Sequence, residues 1–482
     1  MNLSVLSVAS EAVPFIKTGG LADVVGALPN AVAQHEVAMT TLLPGYPSVM
    51  RAIGEGEQFH EYEALFGEYA RLIASRIGDH PLIVLDAPGF FARDGSPYVD
   101  AFGQDWEDNW KRFAALSRAA ADLAGGAIGG RHFDLLHAHD WQAAMALAYQ
   151  RFAPAPESRA IPSVMTIHNI AFQGNFTSEI FPDLGLPQGA WTMHGVEYHG
   201  GVGFLKAGLE AASAITTVSP TYAREIRTEE FGMGLEGLIV SREDRVSGIV
   251  NGIDTSLWDP ETDPNVPQCF SARNLERRAE NKRALLEEFG LKPGDGPLLT
   301  VISRLTWQKG MDVLLDVIDH VIGLGCRLAV LGAGDRAIEA GFHAAEARHP
   351  GQVGVRLGYD EALAHRMQAG GDAILVPSRF EPCGLTQLYG LAYGNVPIVS
   401  RTGGLADTVI DANLAAAAAG VATGIQFNSV DQDSLVMAIG RAVDLYRQPK
   451  IWRKIQKRGM KSDFSWASSG LAYANLYRSL LA

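Results

Sequence analysis

The chain has 482 residues, 47% hydrophobic and 20% charged, which excludes wholesale disorder and suits two or three domains at roughly 150 residues each. Its 40 Lys and Arg against 54 Asp and Glu give a formal charge of −14, the wrong sign for a nucleic-acid or anionic-membrane binder. The 3 cysteines, Cys269, Cys326 and Cys383, are far apart without a C-x-x-C, so neither a disulfide scaffold nor a cysteine zinc knuckle is expected. No apolar run reaches the ~18 residues of a membrane span. The N-terminus carries no basic leader segment, so a cytoplasmic protein is expected.

In chain order, short apolar runs predict buried strands over 3–9, 40–43, 82–86, 135–138, 163–167 and 214–218. A second series covers 298–302, 327–331, 353–358, 373–376 and 397–399, and helical patterns such as 110–124 and 311–324 lie between. Continuous rather than alternating hydrophobicity suits parallel strands covered on both faces. Strand–helix repetition then implies right-handed crossovers and two doubly wound α/β domains. The Pro- and acid-rich, aperiodic stretch 257–267 is the expected linker.

The strand ends carry most of the chemistry-bearing residues, where such folds bind ligands. TGGLAD at 18–23 recurs at 402–407, preceded by Lys17 and Arg401 respectively. Either copy presents free backbone amides at a helix start, with a cation beside them, or simply makes a tight strand-to-helix turn. His137 and His139 stand two apart, as metal ligands, as a polar cleft rim with Asp140, or as structural residues. His168 ends the next strand on the same edge. Arg304 and Lys309 follow the first strand of the second series and suit a diphosphate. The segment from Arg379 to Gln387 places one carboxylate, Glu381, between turn residues, with Cys383 read as a small packed thiol. Gly332, Gly334 and Ala337 mimic a dinucleotide fingerprint, which leaves an NAD enzyme as an alternative. There is no Walker-type phosphate loop and no G-x-S-x-G nucleophile elbow.

Taken together, KTGGLADV from Lys17, HAHDW from His137, TIHN from Thr166, NGID from Asn251, the Ser303–Gly310 segment, the Glu381 segment and RTGGL from Arg401 resemble bacterial glycogen synthases and the related starch synthases. The resemblance implies a GT-B fold, two Rossmann-like domains facing a cleft, and glucosyl transfer from ADP-glucose to the non-reducing end of an α-1,4-glucan with retention. It implies no metal and no cofactor. It places residues 1–256 in the first domain, completed by a C-terminal helix over 457–482. Residues 257–296 would link to a second domain over 297–456. By the same resemblance Lys17, Gly19 and Gly20 contact donor phosphates from the first domain, and Arg304 and Lys309 from the second. Asp140 and His168 bind the transferred glucose, and Glu381 is the acidic site residue. Backbone groups of Cys383, Gly384, Leu385 and Thr386 hold sugar hydroxyls, and Tyr359 stacks on the nucleobase. Asp23 and Asn251 line the sugar side. Where many retaining relatives carry a second Glu, this chain has Tyr389. A sugar-nucleotide epimerase and an idle glucan-binding protein remain as other readings of the same fold.

Overall fold

The computed structural model describes residues 3–482. The chain forms two compact units: one runs to Gly252 and regains Trp466–Ala482, the other spans Ile253–Ser465. Each is a doubly wound sheet.

The first unit is built on a nine-stranded sheet. Its order is Val246–Gly248, Ala214–Thr217, Ser163–Ile167, Leu135–His139, Leu3–Val8, Val37–Pro44 and His80–Asp86, all parallel. Every residue of Leu135–His139 and Ser163–Ile167 is buried, as two-sided coverage requires. An antiparallel hairpin, Glu57–Leu65 with Glu68–Ile77, completes the far edge. Its outer strand is largely exposed and polar, which protects the edge and also hides it from a search for apolar runs. The C-terminal helix Trp466–Ser479 returns to this unit and buries Tyr473 and Tyr477 among Val5, Leu28 and Val32.

The second sheet has six parallel strands, ordered Val353–Leu357, Arg327–Gly332, Leu298–Ile302, Ala373–Val376, Val396–Ser400 and Ile425–Phe427. In both sheets the strand order reverses beside the first strand: between Leu3–Val8 and Leu135–His139, and between Leu298–Ile302 and Ala373–Val376. Ligands of open α/β sheets bind at the carboxyl side of such a reversal.

The expected linker is no linker. Residues 257–267 belong to the second unit, and the chain crosses between units at 252/253 and 465/466 rather than near 257 and 457. Trp258 is buried, its ring stacked at 3.7 Å on both His365 and Tyr389. Asp263 is buried too, accepting from the Tyr393 hydroxyl at 2.5 Å and facing His365 Nδ1 at 2.7 Å. The stretch lacks periodicity because Asp254, Asp259 and Asp263 each fold a local turn by accepting a main-chain N–H two residues on. Anchored aromatics between turns leave no repeating pattern.

Candidate active site

In the first unit the site residues gather at the sheet reversal. Lys17 lies in the loop after Leu3–Val8, its Nζ 2.8 Å from Asp23 Oδ1, in a half-exposed pair that adds little to stability but holds the ammonium in place. Gly19 is the extended N-cap of the helix Gly20–Ala33, and no side chain caps that helix. A Cβ built on Gly19 would meet nothing within 4 Å, so the space beside it is open. Uncapped amides, a helix dipole and a cation together favour an anion.

Glu11 escaped the sequence reading. It is 3% exposed, and it accepts the Thr18 N–H at 2.5 Å, the Thr18 hydroxyl at 2.7 Å and the Tyr98 hydroxyl at 2.7 Å. One buried carboxylate thus ties the Lys17 loop to the 93–106 loop. Its only sequence signal is an acid directly after a buried strand.

Asp140 opens the helix Asp140–Phe152 with φ of +55°, a left-handed conformation that strains a non-glycine residue. Its Oδ1 accepts the His168 N–H at 2.7 Å. Burial pushes its carboxyl up to about 7 despite hydrogen bonds from the His168 and Asn169 backbone. His139 Nδ1 lies 3.0 Å from His168 Nε2, and His139 Nε2 lies 3.1 Å from Ser7 Oγ. His137 uses its nitrogens on Tyr477 OH at 2.8 Å and Thr166 Oγ1 at 2.6 Å. The ring nitrogens of His137 and His139 are thus engaged in hydrogen bonds within the first unit, and among the described residues no group of three or more His, Cys, Asp or Glu could hold a metal ion. Asn251, 5% exposed, has an Oδ1 buried without a hydrogen-bond partner among the described residues. A buried acceptor of this kind is met by an ordered water or by a ligand donor.

Burial lowers the His137 and His168 imidazoles to about 3 and His139 well below its ordinary value. Depressed imidazoles contribute stability above pH 6.5 that is lost as pH falls. Asp140, being raised, contributes stability below about pH 4 that is lost as pH rises towards 7. Three imidazoles outweigh one carboxylate, so unfolding near pH 5 takes up about two protons from these groups. Stability should therefore fall as pH drops from about 6 towards 4. Urea midpoints across that range check this, and His137→Gln should flatten the slope by about one proton.

The second unit places its candidates at its own reversal. Lys309 Nζ donates to Glu381 Oε2 at 2.5 Å, and Ser378 Oγ donates to the same oxygen at 2.7 Å. Beside them lies a cavity of about 40 Å³, lined in part by Ser303, Lys309, Glu381, Gly384 and Thr386, with room for ordered water. The helix Thr386–Tyr393 starts there without a side-chain cap. Arg304 is exposed, its guanidinium 3.0 Å from Gln308 Oε1. Arg379 braces the loop, gripping Asp312 with both terminal nitrogens at 2.7 and 2.8 Å and stacking on Trp307. Tyr359 is 75% exposed after the strand Val353–Leu357. Tyr389 packs on Trp258.

The two TGGLAD copies do different work. Gly404 N–H donates to the carbonyls of Glu381 at 3.1 Å and Pro382 at 3.2 Å. A Cβ on Gly403 would fall 2.0 Å from the Glu381 carbonyl oxygen, and one on Gly404 2.0 Å from that of Cys383. The second copy therefore clamps the Glu381 segment instead of offering the Gly404 amide to a ligand. The dinucleotide mimic also has a structural reason: Cβ atoms on Gly332 and Gly334 would meet the carbonyls of Ser303 and Leu305 at 1.9 and 2.5 Å. The helix after them is already capped by Asp335, whose carboxylate accepts the Ala337 N–H. The Ala337 amide is thereby already paired with a carboxylate rather than open to a pyrophosphate, which counts against the NAD alternative.

Residues 4–241 match the family model for the starch synthase catalytic domain, and residues 283–459 match glycosyl transferases group 1. A glycogen synthase of Novosphingobium aromaticivorans is 70% identical over 482 residues, covering 100% of this chain and 99% of that one. The chain belongs to the glycogen synthase family. A second family member, from Mesorhizobium japonicum, is 57% identical over 480 residues, 100% of this chain and 99% of its own. The catalytic domain of starch synthase IV from Arabidopsis thaliana, solved bound to ADP and acarbose, matches with a TM-score of 0.89 at 31% identity, covering 100% of both chains. A sucrose-phosphate synthase from Thermosynechococcus elongatus shares the fold at a TM-score of 0.61 and 17% identity, covering 99% of both chains. Like these glycosyltransferases, this glycogen synthase family member has the GT-B fold, and it is a glucosyltransferase.

Proposed function

We propose that this enzyme transfers glucose from ADP-glucose to the non-reducing end of an α-1,4-glucan, glycogen in the cell's cytoplasm, with retention at the anomeric carbon. The observation that carries the reading is the part-buried Lys309–Glu381 pair at the carboxyl side of a sheet reversal, in a chain 70% identical to a glycogen synthase from end to end. On the first unit Lys17 and the amides of Gly19 and Gly20 are the proposed phosphate contacts, and on the second Arg304 and Lys309 are. On the first unit Asp140, His168 and Asn251 are the proposed glucose contacts and Asp23 steadies Lys17; on the second the Cys383–Thr386 backbone binds sugar hydroxyls and Tyr359 stacks on the adenine.

A double displacement needs a carboxylate on the face opposite the leaving group. Glu381 is committed to Lys309 and Ser378, and position 389 is a tyrosine packed on Trp258. The favoured route is therefore front-face. The bond from C1 to the ADP phosphate breaks, the acceptor O4 bonds to C1 on the same face, and the departing phosphate takes the acceptor's proton. Stabilising that phosphate is the main catalytic task, and it needs no metal or cofactor.

Labelled ADP-glucose and UDP-glucose offered separately with glycogen, before and after exhaustive EDTA treatment, test the reading. ADP-glucose should be the better donor and EDTA should leave its transfer intact. Donor turnover without glycogen labelling would favour an epimerase, and a divalent-ion requirement would overturn the metal-free route. Gly19→Ala tests the phosphate loop separately. It should cost at most about 1 kcal/mol of stability while raising the donor KM about tenfold. An unchanged KM would remove Gly19 from the site.

A further inference from the structure

On the first unit a cavity of about 330 Å³ is lined by Arg151, His194, Glu210, Arg242 and Arg245, together with residues 211–213. Ser213 immediately precedes the strand Ala214–Thr217, so the cavity lies at the amino edge of the parallel sheet. Asp140 and His168 sit at the carboxyl edge, and the two places are distinct.

Three guanidinium groups converge there from three elements: the end of the helix Asp140–Phe152, the residue after the helix Glu236–Ser241, and the 3-10 turn Glu243–Arg245. Arg151 and Arg242 each spend one nitrogen on the Glu210 carbonyl, at 2.9 and 2.7 Å, and Arg242 a second on the Ala212 carbonyl at 2.5 Å. Those carbonyls end the helix Phe204–Ala211, whose negative dipole end draws the cations in. The attraction is incomplete. Arg242 Nε is buried without a hydrogen-bond partner among the described residues, and Arg245 lines the cavity exposed.

The carboxylates nearby do not balance the charge. Glu210 already faces Lys206 at 3.9 Å and His194 at 3.6 Å, and Asp244 offsets only part of the remainder. Burial and then repulsion from Arg245 and Arg151 disfavour the charged form of Arg242. A chain of net charge −14 has thus concentrated like positive charges in one open cavity with donors to spare.

We propose that this cavity is a second anion site, taking a phosphate monoester or free phosphate by guanidinium contacts. Phosphate is the ligand that several forked donors around an open concavity fit best. The volume admits a hexose carrying the phosphate.

Calorimetric titration of the full chain at constant ionic strength tests this, with inorganic phosphate and glucose 6-phosphate as separate probes. Wild type and Lys309→Ala should bind with equal affinity, while Arg245→Gln and Arg151→Gln should each weaken binding about tenfold. Arg245 is exposed, so its substitution spares the fold even if Arg151→Gln does not. A clear preference for the ester assigns a sugar phosphate, and equal affinity assigns free phosphate. Binding lost in Lys309→Ala but kept in Arg245→Gln would place the anion in the donor site and overturn the proposal. So would the absence of binding to wild type.

Discussion

Lys309→Ala should lower kcat about 100- to 1,000-fold, the loss typical when one donor to a developing anion is removed. Lys309 Nζ is fixed by Glu381 at 2.5 Å and retains further N–H groups for a phosphate. Because the charge on the leaving diphosphate grows as C1 departs, the ammonium is worth more in the transition state than in the bound donor. The loss should therefore appear in kcat. A raised KM with kcat unchanged would mean uniform binding and no leaving-group role. The substitution also strands Glu381, 8% exposed, with only Ser378 as partner. Some destabilisation must follow, since breaking a buried pair leaves a charge uncompensated. The double variant Lys309→Ala with Glu381→Gln removes both charges, so it should recover stability without recovering turnover. Recovery of both would show that the single variant failed through folding.

Gly404→Ala should be nearly as damaging to turnover, through position rather than charge. Its Cβ would lie 2.0 Å from the Cys383 carbonyl oxygen and 2.5 Å from the Cys383 Cα, backbone atoms that cannot rotate away. The Glu381–Leu385 segment must shift, and with it the carboxylate that holds Lys309. A displacement near 1 Å costs on the order of 100-fold in rate, and overpacking costs about 1–3 kcal/mol of stability. Thermal midpoint and kcat measured together check the pair of effects. Wild-type values for both would contradict the clamp assigned to the second TGGLAD copy.

That copy also shows where sequence reading stopped. Its six residues repeat those at 18–23, yet one loop leaves Gly19 open and the other presses Gly403 and Gly404 onto carbonyls. The difference lies in what packs against each loop, which a linear repeat does not carry. Most of the parallel strands were legible because burial on both faces forces continuous apolar runs, while the three-residue edge strands Val246–Gly248 and Ile425–Phe427 were too short to show one. The hairpin of Glu57–Leu65 with Glu68–Ile77 was not, because an exposed edge strand needs no such run. Lys17, Arg304, Lys309 and Glu381 were legible as charges at strand ends. Glu11 was not, since a lone acid forms no motif until Thr18 and Tyr98 are brought to it. The stretch 257–267 misled through composition: its prolines and acids look like a tether, while Trp258 and Asp263 are core residues.

The most direct test follows the glucose itself. The enzyme is incubated with glucose-labelled ADP-glucose and glycogen, and the polymer is then digested from its non-reducing ends by an exo-hydrolase specific for α-1,4 linkages. The account predicts label in the polymer, released by the first cuts, with equimolar ADP formed. Label remaining in a small sugar nucleotide or in free glucose, with glycogen unlabelled, would contradict it.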